Sequence, residues 1–268
     1  MRFLKGHGTD NDFVILPDPD GALDLPPARV AAVCDRRAGI GADGVLHAVR
    51  TKLSPEVADQ ADHAEWFMDY RNADGSLAEM CGNGVRVFAR YLVDAGLAEP
   101  GEFAVATRGG TKRVRLAADG DVTVDMGKPV VLGSSVTVVN GQEYQGLHVD
   151  MGNPHLACAI GDPVVQLDLT YQPAFDPAVF PNGVNIELLN AVGPRRALMR
   201  VYERGSGETR SCGTGAVATA VAAAHLAGES TGTWTVEVPG GILTVTLDED
   251  TSYLAGPAVI IASGELTI

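Results

Sequence analysis

Short runs in which apolar and polar residues alternate recur along the chain, and they predict β-strands. The clearest runs are Phe103–Thr107, Lys112–Leu116, Val122–Met126, Leu198–Tyr202, Thr233–Val238 and Leu243–Leu247. Few helical patterns separate them, so largely antiparallel sheets are predicted rather than a doubly wound parallel sheet. A further apolar run, Ala258–Ile261, is predicted to return as a strand to the first half of the chain.

Two stretches carry a helical pattern, and each begins with a Cys-Gly-polar-Gly turn. After C-G-N-G, apolar residues at Val85, Phe88 and Leu92 are spaced for one buried face, and Gly96 follows where a C-terminal cap belongs. After C-G-T-G, a run rich in Ala and Val ends at Gly228 and has so few polar positions that burial on nearly all sides is predicted.

The two turns form the core of an internal repeat. Cys81 and Cys212 lie 131 positions apart (212 − 81), close to half of the 268 residues. Two weaker matches occur in the same order: G-H-G-T-D-N-D-F with D-M-G-N-P-H, and G-I-G-A-D-G with N-G-V-N-I-E. The repeat predicts an α/β protein of the α+β type, with two pseudo-symmetric halves. Each half is a mainly antiparallel rolled sheet or barrel around a central helix, and the active site is expected in the cleft between them.

The predicted halves are residues 1–127, carrying Cys81, and residues 128–257, carrying Cys212. The N-terminal half is expected to be completed by a C-terminal strand near residues 258–268. A chain of this length suggests one large domain or two modest ones.

Charge and composition exclude some classes of partner. The formal net charge is −14, with a sequence pI near 4.7, which argues against nucleic acid and against an anionic membrane surface. No apolar run is long enough to span a bilayer, and the first residues do not resemble a signal peptide. We therefore expect a cytoplasmic protein with a small-molecule partner.

The four cysteines do not follow the pattern of a metal site or a disulfide framework. There is no C-x-x-C pair and the histidines are scattered, so no zinc site is predicted. The run G-x-G-x-x-G at residues 39–44 follows a helical pattern rather than a strand, so it does not predict a dinucleotide site.

A cysteine at a helix start is suited to proton transfer. The helix N-terminus is expected to stabilise the thiolate and lower the thiol pKa, and exposed backbone N–H groups can hold a carboxylate. Two such turns suit a reaction that removes a proton from one face of a carbon and returns one to the other face. Two alternatives use the same residues: one cysteine is a nucleophile and the other structural, or both turns bind anions in a non-catalytic protein.

The motif N-A-D-G-S-L-A-E-M-C-G-N-G-V-R resembles the signature of the diaminopimelate epimerase family. The stretch Y-E-R-G-S-G-E-T-R-S-C-G-T-G resembles the second cysteine motif of that family, and G-T-D-N-D-F, G-N-P-H and G-V-N-I-E support the match. The resemblance implies two similar halves with the site in the cleft, no pyridoxal phosphate or other cofactor, and no metal. It also implies interconversion of LL- and meso-diaminopimelate, for lysine and cell-wall synthesis, and a homodimer.

Carried over by motif, the resemblance makes Cys81 and Cys212 the two acid–base residues. His155 and Glu203 are placed near the thiols, where they would tune the thiol pKa values. The residues implied in substrate binding are Asn11, Asn72, Gly82, Asn83, Asn153, Asn185, Glu203, Arg204, Gly213 and Thr214. A related two-cysteine racemase for proline-like substrates is the alternative, and Arg204 with the additional asparagines favours a substrate charged at both ends.

One position departs from the family pattern. The G-I-G-x-D turn is often followed by Gln in the family, whereas Gly44 stands there in this chain. Gly44 offers only its backbone to a ligand, so it is left out of the predicted site.

Overall fold

The computed structural model describes residues 1–116 and 120–267. Residues 117–119 of the predicted N-terminal half and residue 268 of the predicted final strand lie outside this description. The chain divides into two compact units, Met1–Val124 with Gly256–Ile268, and Asp125–Ala255.

Strands dominate the described elements. The N-terminal elements are β1 (Arg2–Gly8), β2 (Asn11–Pro17), α1 (Pro27–Cys34), β3 (Gly44–Arg50), β4 (Trp66–Asn72), α2 (Gly82–Asp94), β5 (Glu102–Ala106), β6 (Lys112–Leu116) and β7 (Val122–Asp125). They are followed by β8 (Val130–Val139), β9 (Gln142–Asp150), β10 (Pro154–Ala159), β11 (Ala174–Phe175), β12 (Asn185–Gly193), β13 (Arg196–Glu203) and β14 (Gly207–Thr209). The last elements are α3 (Gly213–Ala227), β15 (Gly232–Val238), β16 (Gly241–Leu247), β17 (Ser252–Gly256) and β18 (Val259–Glu265).

The first unit is a mixed sheet packed against α2. Antiparallel pairs join β18 to β1, β1 to β2, β3 to β4, β5 to β6 and β6 to β7. Parallel pairs join β2 to β3 across α1, and β4 to β5 across α2. Strand β18 thus brings the end of the chain back to its first strand.

The second unit repeats this order of pairings around α3. Antiparallel pairs join β8 to β9, β9 to β10, β12 to β13, β15 to β16 and β16 to β17. Parallel pairs join β10 to β12, and β13 to β15 across α3. The matching positions of the two units are therefore β2 with β10, β3 with β12, β4 with β13, and α2 with α3.

Antiparallel pairs predominate among the described strands, as predicted, and the parallel pairs are a feature that the strand patterns did not predict. In each unit the long helix carries the chain from one strand to the next strand that runs in the same direction, a connection that hairpin turns cannot make. Every strand predicted from alternation is present, with its bounds shifted by up to two residues.

The two long helices begin at cysteines and end at glycines. Helix α2 buries Val85, Phe88 and Leu92 as predicted, and Gly96 adopts φ 66° just after its end. Helix α3 is buried along most of its length and ends at Gly228, whose left-handed φ of 70° closes the last turn. Cys81 and Cys212 thus stand directly before the first turn of a buried helix in each unit.

Candidate active site

Cys81 is the N-cap residue of α2. Its backbone is extended (φ −138°, ψ 118°), and its Sγ accepts a hydrogen bond from the Gly84 N–H at 3.4 Å. A sulfur in this position lies beside the unpaired N–H groups of the first helical turn, which favour a negative charge. Gly82 and Asn83, the first two helical residues, are buried directly behind it.

Asn11, at the start of β2, links Cys81 to Asn83. The Cys81 Sγ lies 3.5 Å from Asn11 Oδ1, and Asn83 Nδ2 donates to the same oxygen at 3.2 Å. Asn11 Nδ2 donates to Asp43 Oδ2 at 2.8 Å, which fixes the direction of the amide. The structure therefore brings three of the predicted residues together, and Asp43 determines that an oxygen faces the thiol.

Asn72 lies at the end of β4 and takes part in a turn. Its side chain donates to Ser76 Oγ at 2.9 Å, and its backbone N–H donates to the Ser76 carbonyl at 2.9 Å. No hydrogen bond joins Asn72 to Cys81 among the bonds described, so its predicted role in substrate binding rests on the motif.

Gly44, the position that departs from the family pattern, is the first residue of β3. A Cβ there would lie 2.5 Å from the Arg71 carbonyl oxygen and 2.8 Å from the Tyr70 ring. Close packing of β3 against β4 thus accounts for a glycine at this point, because any side chain would displace the neighbouring backbone.

Cys212 is the N-cap residue of α3 and repeats the geometry of Cys81. Its backbone angles are φ −125° and ψ 121°, and its Sγ accepts from the Gly215 N–H at 3.4 Å. The Thr214 hydroxyl lies 3.5 Å from the same sulfur. Gly213 is buried and Thr214 is half-buried, so the first helical turn of α3 is as closely packed as that of α2.

Glu203, the last residue of β13, is in contact with Cys212. Its carboxylate accepts hydrogen bonds from the Cys212 thiol and from the Thr209 hydroxyl. Burial raises the Glu203 pKa above its usual value, and the neighbouring charge of Glu187 adds to this effect. Glu203 is therefore placed where its charge acts on the thiol.

The expectation of a lowered thiol pKa is wrong for Cys212. Burial is the largest cause that raises its pKa well above the usual value, followed by the charges of Glu203 and Glu187. The hydrogen bonds from Thr214 and the Gly215 N–H favour the thiolate, but they are smaller effects. Cys212 is therefore held as a thiol, able to donate a proton.

His155, on β10, is completely buried between two oxygen atoms. Its Nδ1 lies 2.7 Å from Glu187 Oε1, and its Nε2 lies 3.1 Å from Asn153 Oδ1. Parallel pairing of β10 with β12 sets Ala157 opposite Glu187, which brings this carboxylate beneath the imidazole. The structure therefore joins His155 to Asn153, and His155 interacts electrostatically with Glu203.

Asn185, at the start of β12, and Arg204, just after β13, are joined by a hydrogen bond. Asn185 Nδ2 donates to the Pro154 carbonyl at 3.0 Å, and its Oδ1 accepts from the Arg204 backbone N–H at 2.9 Å. The Arg204 side chain is exposed, and one of its guanidinium nitrogens donates to the Asn182 carbonyl at 3.3 Å. The Asn185 side chain thus hydrogen-bonds to two backbone groups, whereas Arg204 extends a charged group towards solvent.

Three charged residues near the cysteines were not assigned from the sequence, although the motifs contain them. Asp43 follows G-I-G-A, Glu187 ends G-V-N-I-E, and Arg86 ends C-G-N-G-V-R. Arg86 is completely buried and donates to Asn83 Oδ1 at 2.7 Å. Burial lowers its pKa to about 10, and its attraction to Cys81 opposes that change. For Arg86 and Glu187, the signal in the sequence was a charged residue inside an apolar run.

The other two cysteines begin no helix: Cys34 is the last residue of α1, and Cys158 lies on β10. Burial raises the pKa of Cys34 to about 11 and that of Cys158 to about 12, so both remain thiols at neutral pH. None of the four cysteines forms a disulfide. Within residues 1–116 and 120–267, no group of three or more His, Cys, Asp or Glu side chains is arranged to hold a metal ion.

Comparison with known protein families shows to which family this chain is related. The family model described as diaminopimelate epimerase matches residues 3–132 and 147–261. The chain belongs to the diaminopimelate epimerase family. The diaminopimelate epimerase of Streptomyces coelicolor is 57% identical over 274 residues, which cover 99% of this chain and 95% of that protein.

Solved structures share the fold of this family member at low sequence identity. A phenazine biosynthesis protein of the PhzF family from Bacillus anthracis has a TM-score of 0.72 at 16% identity, covering 100% of this chain and 99% of that one. A hydroxyproline epimerase from Agrobacterium vitis has a TM-score of 0.65 at 15% identity, covering 98% and 91%. The predicted fold class is confirmed by these similarities. No helix in the described part of the chain has the length and apolar character needed to span a membrane.

Proposed function

We propose that this chain interconverts LL- and meso-diaminopimelate, with Cys81 and Cys212 as the acid–base pair. The observation that carries the proposal is the repeated geometry of the two thiols. Each caps a helix, and each sulfur accepts the N–H of the third helical residue at 3.4 Å. A nucleophilic mechanism needs one such cysteine with a dedicated base, whereas inversion at carbon needs a proton handler on each face.

In the proposed reaction, the thiolate of one cysteine removes the α-proton and becomes a thiol. The electron pair left on carbon is delocalised into the substrate carboxylate, which gains negative charge. The thiol of the other cysteine then gives its proton to the opposite face of the carbon and becomes a thiolate. The raised pKa of Cys212 suits it to donate the proton in one direction.

The substrate carboxylate at the reacting carbon is assigned to backbone N–H groups at the helix starts. These groups belong to Gly82 and Asn83 in α2, and to Gly213 and Thr214 in α3. Helix N-termini bind anions, and their attraction strengthens as the carboxylate gains charge in the transition state. This increase, rather than uniform binding of the substrate, accelerates the reaction.

The distal amino-acid group of diaminopimelate is assigned to Arg204 and the asparagines of the motifs. The exposed guanidinium of Arg204 provides a paired donor for a carboxylate. The family's substrate is charged at both ends, whereas proline offers no distal charged group for Arg204 to bind. The proposal uses thiols for both proton transfers and therefore needs no cofactor. A homodimer in the cytoplasm stays a prediction from the sequence.

The test is solvent deuterium exchange under reducing conditions, with LL-diaminopimelate as substrate and L-proline as the comparison. We expect deuterium at the α-carbon and formation of the meso isomer, with neither change in L-proline. Cys81→Ala and Cys212→Ala should each abolish epimerisation, and Cys158→Ala should retain it, because that buried thiol lies within β10 and begins no helix. Absence of exchange with LL-diaminopimelate by the reduced protein contradicts the proposal.

A further inference from the structure

Arg86 is a buried charge on α2 that the proposed reaction does not use. Its side chain is completely buried, and burial lowers its pKa to about 10, which still leaves the guanidinium positively charged at neutral pH. Only Nη2 of this guanidinium makes hydrogen bonds among the described residues, whereas Nε and Nη1 have no partner there. Burying a charge in this way costs free energy. Stability alone therefore does not account for an arginine at this position.

The guanidinium fixes the direction of the Asn83 amide. Arg86 Nη2 lies 2.7 Å from the Asn83 side chain, and a guanidinium nitrogen can only donate a hydrogen bond, so the atom that faces it is the amide oxygen. The amide nitrogen then points the other way, where Asn83 Nδ2 donates to Asn11 Oδ1 at 3.2 Å. The directions of both amides therefore follow from a group that has no acceptor.

The contacts on the far side of Asn11 agree with this direction. Asn11 Nδ2 lies 2.8 Å from Asp43 Oδ2, and the same carboxyl oxygen accepts the Asp12 backbone N–H at 3.1 Å. A backbone N–H can only donate, so Asp43 Oδ2 is an acceptor, and the amide nitrogen is the group that suits it. The direction set by the guanidinium does not depend on the charge of Asp43. Asn11 Oδ1 is thus left facing Cys81 Sγ, at 3.5 Å.

Arg86 also contacts the turn that precedes Asn11. The same Nη2 donates to Thr9 Oγ1 at 3.2 Å, and a Cβ on Gly8 would lie 3.0 Å from this nitrogen. Thr9 and Asp10 join β1 to β2 with positive φ angles of 51° and 63°, a conformation that a β-branched threonine rarely adopts. A contact that holds Thr9 in this conformation also holds Asn11, two residues further on, beside the sulfur.

We propose that Arg86 is a positioning residue, whose guanidinium fixes the Asn11 amide with its oxygen towards the Cys81 thiol. It acts on Asn11 from two sides, through the Asn83 amide and through the Thr9 turn. The amide oxygen accepts the S–H group and so gives the thiol hydrogen one direction. The part that concerns catalysis rests on the proposed function, in which Cys81 transfers a proton. The part that concerns the amides rests only on contacts within the first unit.

The charge of Arg86 also attracts the Cys81 thiolate, and this effect must be separated from positioning. Attraction between two charges acts whichever residue stands at position 11. Positioning acts only while the Asn11 amide is present. A double-mutant cycle with Asn11→Ala therefore distinguishes the two effects.

The direct test of the amides is neutron diffraction from crystals of the reduced, unmodified protein grown in D₂O. Neutrons distinguish nitrogen from oxygen and locate deuterium, which X-rays at ordinary resolution do not. We expect deuterium on Asn83 Nδ2 towards Asn11 Oδ1, and on Asn11 Nδ2 towards Asp43. An Asn83 amide whose nitrogen faces Arg86 overturns the proposal, and so does an Asn11 nitrogen that faces Cys81. This measurement needs no activity, so failure of the proposed function is seen separately in the exchange assay.

The kinetic test places Arg86→Met, which keeps a long side chain without its donors, in two backgrounds. We expect kcat/KM for LL-diaminopimelate to fall about tenfold more in the otherwise unmodified protein than in Asn11→Ala. Equal losses in the two backgrounds contradict the positioning role, because only the charge of Arg86 would then act.

The control for this cycle is Arg90→Met, which removes an arginine one turn further along α2. Arg90 is paired with Asp94 on the same helix, so the change should leave kcat/KM unaltered in both backgrounds. Arg86→Lys, which restores a charged donor, should recover most of the activity that Arg86→Met loses. If Arg86→Met does not fold, the neutron structure of the unmodified protein still decides the direction of the amides.

Discussion

The third residues of the two long helices, Gly84 in α2 and Gly215 in α3, offer a matched test of how each helix start is packed. A Cβ added to Gly215 would lie 2.7 Å from Glu187 Oε1 and 3.2 Å from Cys212 Sγ. A Cβ added to Gly84 would lie 3.2 Å from the Leu46 Cδ2 methyl group. The same substitution by alanine therefore meets a buried side chain hydrogen-bonded to His155 in one unit and a movable methyl group in the other.

The expected free energies of unfolding follow from these contacts. Alanine is favoured over glycine inside a helix by about 1 kcal/mol. At position 215 the new methyl group pushes the Glu187 side chain away from His155, and leaving these buried polar groups without their hydrogen bond costs roughly 3 kcal/mol. Gly215→Ala should therefore lower the free energy of unfolding of its unit by about 2 kcal/mol. Gly84→Ala should change it by no more than about 1 kcal/mol, towards greater stability.

Urea unfolding followed by tryptophan fluorescence can measure each unit separately. Trp66 lies in the first unit and Trp234 in the second, and both are buried, with 3% and 1% of their surface exposed. Trp66→Phe leaves Trp234 to report on Gly215→Ala, and Trp234→Phe leaves Trp66 to report on Gly84→Ala. Equal stability of Gly215→Ala and its Trp66→Phe parent would refute the packing argument. A larger loss at Gly84 than at Gly215 would also refute it.

Two further predictions concern the first residue of β3 and the pKa of a thiol. Gly44→Gln, which introduces the residue common in the family, should destabilise the protein by at least about 2 kcal/mol in urea unfolding, because its Cβ meets the Arg71 carbonyl at 2.5 Å. Gly161→Ala, in open space, is its control, and equal effects of the two changes would contradict the packing argument. Glu203→Gln should move the pH midpoint for alkylation of Cys212 downwards, because the carboxylate charge raises the thiol pKa. Peptide mass spectrometry after iodoacetamide treatment measures this midpoint, and an unchanged midpoint would count against a role for Glu203.

The strands and long helices were predictable because their signals are local. The alternation in Lys112–Leu116 and the spacing of apolar residues in α2 can be recognised from neighbouring residues alone. Both elements are present as predicted. The parallel pairs were not predictable in this way. They depend on where a helix returns the chain, and the sequence of α2 or α3 does not record which strand lies beside it.

The burial of charged residues in the site was likewise not predictable from the sequence alone. The two cysteines were found because the same turn occurs twice, whereas Asn11 and Asn83 were assigned separately through the family resemblance, and their hydrogen bond is seen only in the structure. Glu187 sits in the apolar run N-I-E-L-L, where a single acid suggests an exposed position. Its burial depends on the parallel register that sets β12 beside β10, and this register is a property of the folded unit.

The two helix starts share a backbone but differ in charge. Each cysteine has an extended backbone and accepts an N–H at the same distance, 3.4 Å. Five residues after Cys81 stands the buried Arg86, whereas five residues after Cys212 stands the apolar Val217. Burial raises the pKa of the Cys212 thiol instead, and the charges of Glu203 and Glu187 add to this effect. The two turns thus share the main-chain geometry that orients each sulfur, while the charged side chains that act on the two sulfurs differ, Arg86 for Cys81 and Glu203 with Glu187 for Cys212. In the proposed two-base reaction one group must accept a proton while the other holds one ready to give, and this difference favours Cys212 as the group that holds the proton.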